Sequence, residues 1–194
     1  MVHDNSFFSG QLLIAMPGME DNRFHRAVVY ICSHSQDGAM GIVLNQPQNI
    51  GVPDLLQQLG IVDKAQIPYL PPRLRMQAVR NGGPVEQARG FVLHSDEYSC
   101  SGTVAVADDI ALTSTVEVLH DLSRGKGPAH SVVALGYAGW GAGQLEAEIA
   151  ANSWLTAFAT PELLFDGTAD SQYERCLAGI GVDLLRLVRH AGHA

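Results

Sequence analysis

The run His94-Ser95-Asp96 holds the residue types of a hydrolytic triad. Neighbours on a strand alternate faces, so His94 and Ser95 cannot meet, whereas His94 and Asp96 share a face and could work as an acid–base pair. The competing reading is a strand-end histidine held by ordinary hydrogen bonds. A G-x-S-x-G elbow is absent, which leaves a hydrolase nucleophile unsupported. His190 and His193 stand three apart with Gly192 between them, at a terminus where chains fray, and H-E-x-x-H is missing. No metal and no cofactor is expected.

Gly139-Trp140-Gly141-Ala142-Gly143-Gln144 follows one apolar run and precedes a helical one, as a dinucleotide loop would. The G-x-G-x-x-G frame fails, however: Gln144 or Glu146 occupies its last position, and Glu146 and Glu148 would repel phosphate. Gly82-Gly83-Pro84 either offers backbone N–H groups as a small anion nest or makes a turn that needs positive φ, and the turn is preferred. Trp140 and Trp154 either line a recognition groove or pack against a sheet.

These residues need elements to hold them. Gln11–Met16, stopped by Pro17-Gly18, and Ala27–Cys32 read as buried strands. Ser33–Gly38 turns the second into a third, Ala39–Asn45, closed by Pro47. Val52–Leu59, with Pro53 in its first turn and Gly60 beyond, predicts a short helix. Residues 61–77 carry Pro68, Pro71 and Pro72 without periodicity and read as a long loop. Gln77–Asn81, the Gly82-Gly83-Pro84 turn and strand Gly90–Ser95 follow, then a hairpin over Val104–Leu112 turning at Asp108-Asp109. Ser114 and Glu117 fit a capping box for a helix to about Arg124. The spacing then predicts a strand over Ser131–Tyr137, a helix over Trp140–Ala151, a strand over Asn152–Ala159 and a last helix over Gln172–Ala178. Hairpins first and helical connections later argue for an α+β fold in one domain spanning 1–194, with 1–9 and 188–194 fraying.

Bulk properties restrict the function. The chain has 194 residues, 46% hydrophobic and 16% charged, enough for a sizeable core. A net charge of −8 counts against nucleic acid, whose binding rests on phosphate neutralisation. The local excess of Arg73, Arg75, Arg80 and Arg89, broken by Glu86, reads as scattered surface arginines rather than an anion-contacting patch. Cys32, Cys100 and Cys176 encode neither a zinc site nor a disulfide framework, and Cys32 reads as a small core residue. Without a basic leader or an apolar stretch of the roughly 18–20 residues that span a bilayer, a cytoplasmic protein without a membrane partner is expected.

Several blocks together resemble the AlgH/YqgE family of bacterial proteins. They are Gly10–Pro17, Asp37–Pro47, Gly82-Gly83-Pro84-Val85, Val92-Leu93-His94, and Leu135–Trp140 with Gly143–Glu146, Glu148, Asn152 and Trp154. Order and spacing agree from about residue 6 to Gly192-His193-Ala194, and Gln46 stands where that family commonly has arginine. The resemblance implies a bifurcated, bent, mixed or antiparallel sheet folded into a pseudo-barrel with helices packed outside. It implies no established catalytic site, and the family name points to transcriptional regulation.

The reading that ranks first is a non-enzymatic regulatory or interaction module with an unknown protein partner. The second is a small-molecule-binding protein or enzyme, with Asn45, His94, Tyr137, Gln144 and Asn152 converging in one pocket. The third is direct DNA binding. For ligand or partner the candidate residues are Asn45, Gln46, Pro47, Gly82, Gly83, His94, Tyr137, Trp140, Gln144 and Asn152; no catalytic residue is assigned.

Overall fold

A computed structural model of the protein describes residues 7–182. The fraying expected at 188–194, the histidines His190 and His193, and the block Gly192-His193-Ala194 lie outside the described residues. The strands are β1 (Gln11–Ala15), β2 (Val28–Ser35), β3 (Gly38–Val43), β4 (Pro47–Gly51), β5 (Ala78–Asn81), β6 (Val85–Ser95), β7 (Thr103–Ala107), β8 (Ile110–Thr113), β9 (Ser131–Gly141) and β10 (Trp154–Phe158). The helices are α1 (Val52–Gln58), α2 (Pro72–Met76), α3 (Glu117–Ser123), α4 (Gln144–Ala150), α5 (Pro161–Phe165) and α6 (Ala169–Gly179).

The strands form one ten-stranded sheet along the path β10-β1-β2-β3-β9-β6-β8-β7, with β4 paired to β5 and β5 to β9. Strand β9 is the spine where the sheet forks. One edge pairs antiparallel with β6 from Ser131 to Tyr137. The other edge is divided: Ala134–Leu135 pair parallel with β5, and Ala138–Gly141 pair antiparallel with β3. The chain therefore has to cross β9 between β5 and β6, and Gly82-Gly83 makes that crossing. A Cβ on Gly83 would lie 2.1 Å from the carbonyl carbon of Tyr137, and one on Gly82 would lie 2.2 Å from the carbonyl oxygen of Gly136. These glycines are there for close backbone approach, not as an anion nest. The sheet also curls: a Cβ on Gly10, before β1, would sit 2.9 Å from Cβ of Ala107 at the end of β7. The α+β class and the bifurcated, bent sheet are those the family resemblance implied, and the pseudo-barrel it implied is here a curled half-barrel.

Both faces of the central strands are covered, which explains their unbroken apolar runs. Leu12, Ile14, Val28, Tyr30 and Ile42 face a core closed by Leu164, Tyr173, Cys176 and Leu177 of α5 and α6. Leu13, Ala15, Val29 and Ile31 face the opposite way, with Trp140, Leu145 and Trp154. Helices α1–α3 cover a third core around Val79, Val92 and Val133.

Several local expectations are corrected. Residues 61–77 are not a free loop: a 3-10 turn over Lys64–Tyr69 and helix α2 bury Val62, Leu70 and Leu74. Pro72 opens α2 with Pro71 before it, and Pro68 sits inside the 3-10 turn. Residues Trp140 and Gly141 are strand, since Ala39 and Gly38 pair with them, and the helix waits for Gly143 at φ +71. Ser114 does not cap α3, whose N-cap is Val116 without a side-chain bond. Strand β6 begins at Val85, with its register shifted between Val85 and Gly90, so only its second half looks regular in sequence. Strand β4 and helix α5 were not expected, and α6 starts at Ala169 rather than Gln172.

Candidate binding cleft

Helix α4 presents a short polar ladder. Gln144 accepts the Gly141 N–H at 3.0 Å and donates to Glu148 Oε1 at 2.9 Å, one helical turn on. Glu148 Oε2 accepts the indole N–H of Trp140 at 2.9 Å and that of Trp154 at 2.8 Å. One carboxylate thus fixes two buried indoles from different strands, with ring centroids 6.0 Å apart and planes at 75°. Phe24 completes the cluster, 5.6 Å from Trp154 and 6.4 Å from Trp140. Burying an indole needs an acceptor for its only donor, and Glu148 serves both.

This cluster forms one wall of a cleft of about 670 Å³ that also has Met16, Met19, Pro84 and Asn152 along it. Its rim carries Glu20, Asp21 and Arg23. Arg23 is engaged with Asp21 at 2.7 Å, and its guanidinium holds the Asp21 carboxyl below the ordinary carboxylate value. Asn152 closes α4 in a left-handed conformation at φ +58, which an asparagine tolerates. No nucleophile–base pair is found along this cleft among the described residues.

The remaining candidates lie elsewhere or act from behind. Asn45 accepts the Val28 N–H and donates to the Arg26 carbonyl, both at 2.8 Å, and Gln46 donates to the Arg23 carbonyl at 2.9 Å. Together they anchor the segment that carries Arg23 and Phe24 to the cleft. Pro47 is an exposed residue of β4, paired opposite Arg80. Tyr137 meets Phe91 edge-on and lines a more open depression with Ser33, Ser35, Asp37 and Arg89. That depression shares only Val85, Gly139 and Trp140 with the cleft.

His94 is fully buried between the Ser95 carbonyl at 2.8 Å and the Thr113 hydroxyl at 2.8 Å, with Thr103 bonded to Thr113 at 2.6 Å. No bond joins it to Asp96, so the acid–base pair is not formed, and Asn45, His94, Tyr137, Gln144 and Asn152 do not converge in one pocket. Tertiary pairing of β6 with β8 put the ring on an internal face that one strand's alternation could not identify. Nor do the arginines form one patch: Arg89 pairs with Glu86, while Arg73 and Arg80 border a different cavity.

One pair escaped sequence reasoning. His34, in β2, accepts the Phe8 N–H on Nδ1 at 3.0 Å, so Nε2 carries the proton and donates to Glu146 Oε1 at 3.0 Å. Phe8 stacks on the ring at 5.5 Å. The pair ties α4 to the sheet across 112 residues of sequence, a separation at which no local signal exists. Among the described residues no group of three His, Cys, Asp or Glu gathers as a metal site, and no helix is long and apolar enough to cross a membrane.

Fold and site together define a curled-sheet α+β protein with a tryptophan-walled cleft at the C-terminal end of its spine strand. A family described as AlgH-like matches residues 12–185. The chain is 56% identical over 188 residues to a UPF0301 protein of Mesorhizobium japonicum, covering 97% of this chain and 93% of that one. It is 55% identical over 182 residues to a UPF0301 protein of Chelativorans, covering 94% and 90%. Its structure is similar to the solution structure of the AlgH protein from Pseudomonas aeruginosa, with TM-score 0.77, 39% identity and 97% of each chain covered. The crystal structure of a Corynebacterium diphtheriae protein shares the fold at TM-score 0.63 and 22% identity, covering 79% of this chain and 77% of that one. This chain belongs to the AlgH-like family.

Proposed function

We propose that this protein is a non-catalytic recognition module whose cleft takes a cationic side chain from an exposed segment of a partner protein. The observation that carries this reading is the fixing of Trp140 and Trp154 by Glu148 beside Phe24, with Glu20 and Asp21 on the rim. The face on offer is that of the half-buried Phe24, backed by the two indoles and already 5.9 Å from the Arg23 guanidinium; a ring face attracts a cation through its quadrupole, and the carboxylates around it add to the pull. A volume of about 670 Å³ is enough for one long side chain with its neighbours. The net charge of −8 favours a basic partner and works against duplex DNA, so a regulatory role would run through protein contacts. Three free cysteines fit the reducing cytoplasm in which we place it.

Both tryptophans of the chain line this cleft, so intrinsic fluorescence reports on it. Titration with blocked lysine- and arginine-containing peptides should give a saturable change, weakened about tenfold by the pair Glu20→Gln and Asp21→Asn. Acidic peptides should give none. Saturation by a neutral small molecule but no basic peptide would replace this reading with a metabolite site. No saturable response to any of these probes would overturn the assignment of the cleft.

A further inference from the structure

A second cavity, of about 780 Å³, lies between strands β5 and β9 and helices α2, α5 and α6, and shares no lining residue with the tryptophan cleft. Its lining is apolar through Leu44, Leu74, Leu122, Val132 and Leu164. Into this setting the sheet delivers an arginine. Arg80 is fixed on β5 opposite Pro47 on one side and Ala134 on the other. Its Nε is buried and has no hydrogen-bond partner, and among the described residues the guanidinium forms no ion pair.

The other arginines of the described residues are either partnered or, like Arg75 and Arg124, exposed to water. Arg23 pairs with Asp21, Arg26 with Glu174 and Arg89 with Glu86. Arg73 donates to the Ala129 carbonyl, and Arg175 to the carbonyls of Asp166 and Glu162. Among the described residues the Asp170 carboxylate of α6 acts on Arg80 from beyond ion-pair reach, and burial draws the guanidinium's pKa down despite it. With its Nε buried and the residue half-buried, this guanidinium has given up part of its water, and no group among the described residues replaces it.

Two amides stand along the same wall. Gln77 donates its N–H to the Ser131 carbonyl at 2.7 Å, and the buried Gln172 donates to the Leu163 carbonyl at 2.7 Å. Each is thereby oriented by its own backbone contact, and each keeps an amide oxygen that accepts no bond among the described residues. The cavity therefore offers the unpartnered Arg80, two oriented amides and apolar walls, while the other charged groups of its lining, Arg73 and Asp166, pair with each other at 3.8 Å.

We propose that this cavity binds a small molecule with an oxyanion, carboxylate or phosphate, on an apolar body, and that Arg80 is the residue that receives the oxyanion. Planar N–H pairs match both groups in a bidentate way, and the apolar walls accept the body of the ligand. The overall negative charge of the chain makes nonspecific anion uptake unfavourable, so occupancy has to come from this local arrangement.

The test uses the full chain with 4-phenylbutyrate, phenyl phosphate and the neutral 4-phenylbutanol, followed by amide-resolved NMR titration. One of the two anions should bind saturably with shifts centred on Ala78, Arg80 and Gln172, and which one binds identifies the oxyanion. The neutral alcohol should bind at least about tenfold more weakly, and Arg80→Gln should lower anion affinity by a similar factor. Arg80→Lys should fall between, since it keeps charge without the fork. Tryptophan fluorescence should stay unchanged, which separates this site from the cleft. Equal binding of acid and alcohol by the unaltered chain would overturn the proposal without requiring any variant to fold. Absence of saturable shifts at these residues with both anions would overturn it too.

Discussion

Replacing Glu148 tests whether one carboxylate organises the cleft. In Glu148→Leu both indole N–H groups lose their acceptor while the rings, 7% and 3% exposed, stay buried. Each orphaned donor costs about 1–3 kcal/mol, and water reaching the half-buried end of residue 148 relieves part of this, which leaves a loss of about 2–4 kcal/mol. Glu148→Gln is a finer probe. Its single oxygen can still serve both indoles, but its NH₂ then faces the NH₂ of Gln144. Gln144 cannot invert without giving up the Gly141 N–H. The expected loss is about 1–2 kcal/mol. Urea unfolding gives the energies, and the two indole ¹H–¹⁵N signals report the local change, both shifting in each variant. A loss below about 1 kcal/mol for Glu148→Leu, with unmoved indole signals, would refute the argument.

Two further predictions concern the frame and the thiols. Gly83→Ala forces a methyl group into the backbone of β9 and should cost over about 4 kcal/mol or prevent folding. Gly143→Ala, at φ +71 with open space around it, should cost only about 1–2 kcal/mol by the same urea unfolding, which isolates the crossing as the cause. Burial pushes the Cys32 thiol up to about 12 and that of Cys176 to about 11. At pH 8 a thiol reagent should therefore titrate the half-buried Cys100 in the native protein and reach the other two only after denaturation. Fast native reaction of all three would contradict the packing described around β2 and α6.

Much of the local structure was legible because it depends on near neighbours. The apolar runs of β1 and β2 announced strands covered on both faces, and Asp37-Gly38 announced the turn into β3. Val52–Gln58 announced itself through Pro53 and Gly60. The cleft was half legible: Trp140, Gln144, Asn152 and Trp154 stood out by type and spacing, whereas Phe24 sits in a short 3-10 turn without periodicity. Its place on the wall comes from Asn45 and Gln46, about twenty residues further along the chain.

What the sequence determined by itself was the inventory: an acidic chain, strands dense in β-branched residues, and glycines and tryptophans too specifically spaced to be filler. Tertiary structure alone decided their meaning. His94 became a core residue because β8 brought Thr113 to it, and Gly82-Gly83 became a crossing because β9 divides its edge between β5 and β3. Glu148, read in the sequence as a helical acid unfavourable to phosphate, became the joint of two tryptophans because strands β9 and β10 deliver both indoles to one oxygen. The reason is physical: periodicity reports which face a side chain takes relative to its own element. What waits on that face is set by strand order, and strand order is set by the pairing of segments far apart in the chain.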